Sequence, residues 1–295
     1  MAPDTSFWPN GRWLERFRRL YLRSATRSIL WAEGRRPGIR PGSSMEIADF
    51  RPYSQGDDIR YIDWNAYARF DQVIVRLFQA RRALPVTVFL DASASMDFGR
   101  PRKFDFARGL VALLGLLALQ HQDQLTLWAM ARLTGRPRTF LGVAALGHLK
   151  RHLAAMVPHG PMDLVVALTR ALAETRRGGR AIIISDFLPA ADLAKPLRLL
   201  AAAGQHPLLV HVLAPQERYP EFTGPLWLRD PESLRSRRLT PGRGVLRQYQ
   251  QRLAEYRRQL ATEVRAVGGD YVWACSDWPW ERLFATPALV AAPPR

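Results

Sequence analysis

Asp91, Ser93 and Ser95 place three oxygen-bearing side chains at alternate positions in one short stretch. A carboxylate and two hydroxyls spaced i, i+2, i+4 can converge from a loop onto one small, hard cation. Magnesium takes about six oxygens in near-octahedral geometry and keeps some of them as water. A second carboxylate, Asp186, follows the apolar run Ile182-Ile183-Ile184-Ser185, just as Asp91 follows Val86-Thr87-Val88-Phe89-Leu90. The other role open to Asp91 and the serines is to cap the helix that follows. Signs of catalysis are absent from the sequence. No Ser/His/Asp constellation is legible, and Asp91-Ala92-Ser93 lacks the second aspartate of an aspartyl-phosphate enzyme. His148 and His152 stand four apart on a predicted helix, but no glutamate follows His148, so they read as a solvated face. Gly178-Gly179 leads into no Gly-Lys-Ser/Thr and reads as a helix C-cap before a strand. The chemistry on offer is binding, not an enzyme's.

These residues need a sheet to hold them. Short apolar runs fall at Val86–Leu90, Leu125–Met130, Ala181–Ser185, Pro207–Leu213 and Asp270–Trp273, and they read as strands. Helical patterns separate them at about Lys103–Gln120, Ala144–Met156, Asp163–Arg176, Ala191–Ala203 and Val245–Val267. Alternating strands and helices predict an α/β fold: an open, mostly parallel sheet with helices on both faces. Ligands of such sheets bind beyond the carboxyl ends of the strands, where Asp91 and Asp186 fall. Upstream, Gly11–Trp31 reads as a basic amphipathic helix, docked on the same protein or lying on a membrane. A Gly/Pro/Arg linker follows at Gly34–Gly42, and strand-like runs at Met45–Phe50 and Val73–Phe78 predict a small β-rich extension. The predicted boundary separates residues 1–84, helix and extension, from the α/β domain at 85–295.

The chain has 295 residues, a net charge of +17 and one cysteine, so an internal disulfide and a thiolate zinc cluster are excluded. No stretch approaches the ~20 apolar residues of a membrane-spanning helix. The start lacks a basic segment followed by an apolar run, and the expectation is a cytoplasmic protein. Only Lys103, Lys150 and Lys195 among the 43 basic residues are lysines. The densest basic segment, Arg235–Arg265, sets nine arginines against Glu255 and Glu263. Such a surface attracts an acidic partner or nucleic acid, or is simply solvated.

Asp91-Ala92-Ser93-Ala94-Ser95-Met96 resembles the metal-ion-dependent adhesion site of von Willebrand factor A domains, and Ile184-Ser185-Asp186-Phe187 resembles that family's later aspartate. The stretch from Tyr53 to Trp64, with Gly56-Asp57-Asp58-Ile59-Arg60-Tyr61-Ile62-Asp63-Trp64 at its centre and Arg69 beyond, resembles the signature of the bacterial domain-of-unknown-function family 58. The resemblance implies a von Willebrand factor A-like (Rossmann-type) domain with an N-terminal β-rich extension. It also implies a protein partner, a MoxR-type AAA+ ATPase or its client, and Mg2+ held weakly or only with the partner. The loop that usually supplies a threonine ligand reads Gly160-Pro161-Met162-Asp163-Leu164, so Met162 stands at the expected threonine. A thioether suits magnesium poorly, although Asp163 or water could substitute. Asp57, Asp58 and Asp63 interleave with Arg60 and Arg69 near Trp64 and Tyr67. They are expected to form an ion-pair network fixing the extension on the main domain, or a partner's docking surface.

Overall fold

The computed structural model describes residues 6–9, 20–22, 45–80, 84–130, 136–175, 177–188, 192–220, 224–232, 235–240 and 244–291. In chain order the strands are β1 (Tyr21–Leu22), β2 (Met45–Pro52), β3 (Ile74–Ala80), β4 (Pro85–Asp91), β5 (Gln124–Met130), β6 (Arg138–Leu141), β7 (Gly179–Ser185), β8 (Gln205–Leu213), β9 (Leu226–Arg229), β10 (Ser236–Leu239), β11 (Asp270–Cys275) and β12 (Val290–Ala291). The α-helices are α1 (Trp64–Phe70), α2 (Lys103–Gln120), α3 (Leu146–Ala154), α4 (Leu164–Glu174), α5 (Ala194–Ala202), α6 (Pro215–Arg218), α7 (Val245–Arg265) and α8 (Trp280–Phe284). Two compact units emerge, residues 28–83 and residues 1–27 with 84–295.

The larger unit is mixed α/β. Its sheet runs in the order β11-β8-β7-β4-β5-β6. All neighbours are parallel except the edge pair β5 and β6. Alternation along each strand feeds two apolar layers. Val86, Val88, Leu90, Ile182, Ile184, Leu208, Val210 and Val212 face the layer of α2 and α3. Phe89, Ala181, Ile183 and Leu209 face the layer of α4, α5 and α7. Helices thus cover both faces, and the central strands read as continuous hydrophobic runs because both sides are buried. Burying each such side chain contributes roughly 1.5–3 kcal/mol. Almost the whole of α2 is buried, from Lys103 to Leu119, which fits a helix apolar all round.

Strand order reverses between β4 and β7. β5 continues from β4 on one side, while β8 and β11 continue from β7 on the other. The crevice beyond the carboxyl ends of these two strands is where such sheets place ligands. Gly179 opens β7 with φ +91°, and a Cβ there would stand 2.0 Å from the Pro85 carbonyl oxygen. Glycine is required for β7 to approach β4. This corrects the reading of Gly178-Gly179 as a helix C-cap, since α4 ends at Glu174 with Thr175 as its C-cap.

In the smaller unit β2 pairs antiparallel with β3, with a register shift between Ile47 and Asp49. A helix, α1, joins them through a short 3-10 turn, Ile59–Tyr61. The sequence pattern did not anticipate α1, and β6, β9 and β10 were also missed. Most of the amphipathic helix expected over Gly11–Trp31 lies outside the described residues, as does the linker Gly34–Gly42. Where it is described, at Tyr21–Leu22, the chain is extended and pairs antiparallel with Val290–Ala291. Among the described residues no helix is long and apolar enough to cross a membrane.

Candidate cation and carboxylate site

β4 delivers Asp91 as its last residue, and the carboxylate is buried. It does not cap α2, whose N-cap is Arg102. Instead its Oδ1 accepts the Ser93 N–H at 2.8 Å, folding the loop back over the strand end. Its Oδ2 accepts from the Ser185 hydroxyl at 2.6 Å. Ser93 stands at the N-cap of a single 3-10 turn and Ser95 within it, and their Oγ atoms lie 2.9 Å apart. Two backbone hydrogen bonds, Ala94 N to Gly160 O and His159 N to Ala92 O, both 2.9 Å, stitch this loop to the one carrying Met162.

β7 delivers Asp186 one residue beyond its end, also fully buried. Phe187 follows with φ 55°, a left-handed conformation that strains a bulky residue by about 1–3 kcal/mol. Its amide donates to Ser185 Oγ at 2.8 Å, its carbonyl accepts from the Tyr256 hydroxyl, and its ring meets His211 edge-on. These contacts over-determine the turn, which directs Asp186 toward the β4 side. Burial drives the His211 pKa down to about 3, so its imidazole is neutral.

The sequence expectation named Asp91, Ser93, Ser95, Asp186 and Met162. The structure brings the four oxygen-bearing residues to one end of the sheet. Met162 turns its side chain into the apolar layer that includes Phe89 and Trp128, and only its backbone N–H reaches the site. Asp163, the suggested substitute ligand, is occupied as the N-cap of α4, accepting from Val166 N at 3.0 Å.

Three residues were missed. Lys103, in the first turn of α2, is buried with its Nζ 2.7 Å from Asp186 Oδ2 and 2.5 Å from Glu217 Oε1. Burial opposes its charge, but the two carboxylates outweigh this and raise its pKa. Glu217 shares that one ammonium, and burial pushes its own pKa up. Glu232, in the turn between β9 and β10, accepts from Met162 N at 3.4 Å; burial pushes its pKa up, and the Met162 amide and the nearby Ser95 and Ser93 side chains oppose that shift. Lys103 carried a usable signal, as one of three lysines in a chain whose positive charge is otherwise arginine. Glu217 and Glu232 carried none, because long-range folding alone brings them here.

The donor chemistry fits a hard cation. Asp91, Ser93, Ser95, Asp186 and Glu232 offer only oxygen. Asp91 is pushed up to about 7, first by burial and then by the neighbouring Asp186 charge, despite the hydrogen bonds from Ser185 and Ser93 that oppose the shift. Lys103 compensates Asp186 and Glu217 and leaves Asp91 in need of positive charge. Among the described residues no three His, Cys, Asp or Glu side chains could hold a metal together, so a cation here needs the two serines.

The other residues singled out make contacts of their own. His148 Nδ1 contacts Arg151 at 3.1 Å, while the His152 ring packs on Phe140. In the smaller unit Asp57 pairs with Arg51 at 2.6 Å, and not with Arg60 or Arg69. Asp58 caps the 3-10 turn and pairs with Arg60 at 2.6 Å. Asp63 caps α1 through the amides of Asn65 and Ala66. Trp64 stacks edge-on against Tyr67, and Arg69 lies in the helix's last turn. These contacts are caps and ion pairs between residues near in sequence.

The sequence profile of the family described as "Protein of unknown function DUF58" matches residues 49–259. Uncharacterized proteins of Mycobacterium bovis and of Mycobacterium tuberculosis strain H37Rv are each 31% identical, over 82% of this chain and 78% of theirs. Among solved structures, the conserved hypothetical protein BatB from Bacteroides thetaiotaomicron is 16% identical, with a TM-score of 0.42, covering 69% of this chain and 95% of that one.

Proposed function

This chain belongs to the DUF58 family, and from that premise we propose that it is a non-enzymatic, protein-binding adaptor whose Asp91 loop engages an acidic side chain of its partner through a divalent cation. The supporting observation is the meeting of Asp91, Ser93, Ser95 and Asp186 where the strand order reverses. On this reading the larger unit is a von Willebrand factor A-like domain with a degenerate metal-ion-dependent adhesion site. The partner is a MoxR-type AAA+ ATPase or its client, in the cytoplasm. The site's weak point is Met162, which contributes no side-chain oxygen.

Calorimetric titration with magnesium tests this. The wild type is expected to bind weakly, and Asp91→Ala not at all. Met162→Thr restores one hydroxyl, and by analogy with a hydrogen bond to a charged group it should tighten binding by about 1–3 kcal/mol, roughly ten- to a hundredfold. Tight wild-type binding that is unchanged in Met162→Thr contradicts the assignment of that loop to the site.

A further inference from the structure

The β9–β10 hairpin stands largely in solvent, with Trp227 and Leu228 exposed. Its turn nevertheless carries an acidic side chain back to the Asp91 loop. Asp230 shapes the turn: its Oδ1 accepts the Glu232 N–H at 2.9 Å, and its own N–H donates to the Arg235 carbonyl at 2.9 Å. Glu232 then accepts from the Met162 amide at 3.4 Å, on the loop that Ala94 N to Gly160 O and His159 N to Ala92 O tie to the Ser93 and Ser95 turn. Asp91, Ser93, Ser95 and Asp186 are buried, whereas Glu232 is only partly so. It therefore closes the site from the solvent side, the direction from which a partner's carboxylate must arrive.

We propose that Glu232 is a tethered stand-in for the partner's acidic side chain, holding the Ser93 and Ser95 face until the hairpin swings away. The inference rests on reading the Asp91 loop as a cation-dependent carboxylate site. A tethered group competes at a local concentration on the order of millimolar when its linker is short, enough to suppress a weak external carboxylate. Most of the hairpin's side chains face water, so releasing it exposes little core.

The test measures binding of a fluorescent pentapeptide containing one glutamate, and of its glutamine counterpart, to the full chain in magnesium. Glu232→Ala should bind the glutamate peptide at least about tenfold more tightly than the wild type, as expected when a millimolar tethered competitor is removed. The glutamine peptide should gain nothing, and Asp91→Ala in the Glu232→Ala background should abolish binding. Glu232→Gln, which keeps the size and loses the charge, should also tighten binding, and unchanged unfolding midpoints will show that both variants fold. Equal affinity of wild type and Glu232→Ala, both dependent on Asp91, overturns this inference and leaves the adaptor reading standing. No binding by Glu232→Ala, or binding indifferent to Asp91 and magnesium, overturns both.

Discussion

Lys103→Met is expected to destabilise the larger unit by about 3–5 kcal/mol, the usual consequence of removing one partner from a buried ion pair. The loss is large against the roughly 5–15 kcal/mol that holds a domain folded. Lys103 Nζ lies within 2.7 Å of both Asp186 and Glu217, so its removal leaves two carboxyls facing each other without a cation. Urea unfolding followed by tryptophan fluorescence measures the effect. Adding Asp186→Asn should recover part of it, because the double variant removes a buried charge as well as its partner. Strict additivity of the two substitutions would show that the pair is not energetically coupled.

Asp91→Asn should act in the opposite direction when divalent cations are absent. The folded state raises the Asp91 pKa from 3.8 to about 7. The group therefore binds its proton more tightly when folded, and its ionised form opposes folding. That opposition is absent below about pH 4, grows between pH 4 and 7, and is complete above about pH 7. Each pKa unit corresponds to roughly 1.4 kcal/mol, so the variant should be more stable than the wild type at pH 8 by a few kcal/mol. The difference should vanish near pH 4. Saturating magnesium should narrow the gap or reverse it, because ligand that binds only the folded wild type stabilises it by mass action. A variant less stable than the wild type at pH 8 without metal would mean that the Asp91 carboxylate is already compensated.

Much of this arrangement was legible in the sequence, for identifiable reasons. The central strands announce themselves because burial on both faces leaves no polar alternation, as at Ile182-Ile183-Ile184. The range of α2 was read without error from an apolar run inside charged ends. Asp91 and Asp186 were placed correctly because a carboxylate directly after a buried strand has one destination, the sheet's carboxyl edge. The short edge elements β6, β9 and β10 were not legible. Each is four residues long, and exposed side chains such as Arg138 and Trp227 carry no periodic signal. Their loss hid Glu232, whose role depends on where that hairpin turns. Lys103 was overlooked differently: its rarity as a lysine set it apart, but a charged residue in a first helical turn normally reads as solvated, and the two carboxylates that close over it are distant in sequence.

The central claim is that the Asp91 loop binds a divalent cation through its serines. It is tested most directly by soaking crystals of the full chain in manganese and recording anomalous diffraction. The account predicts one strong peak at coordination distance from both Ser93 and Ser95 Oγ, on the side of Asp91 and Asp186, with Lys103 still paired to Asp186. A map at good resolution with no peak against the serines, while manganese binds elsewhere on the chain, would contradict it.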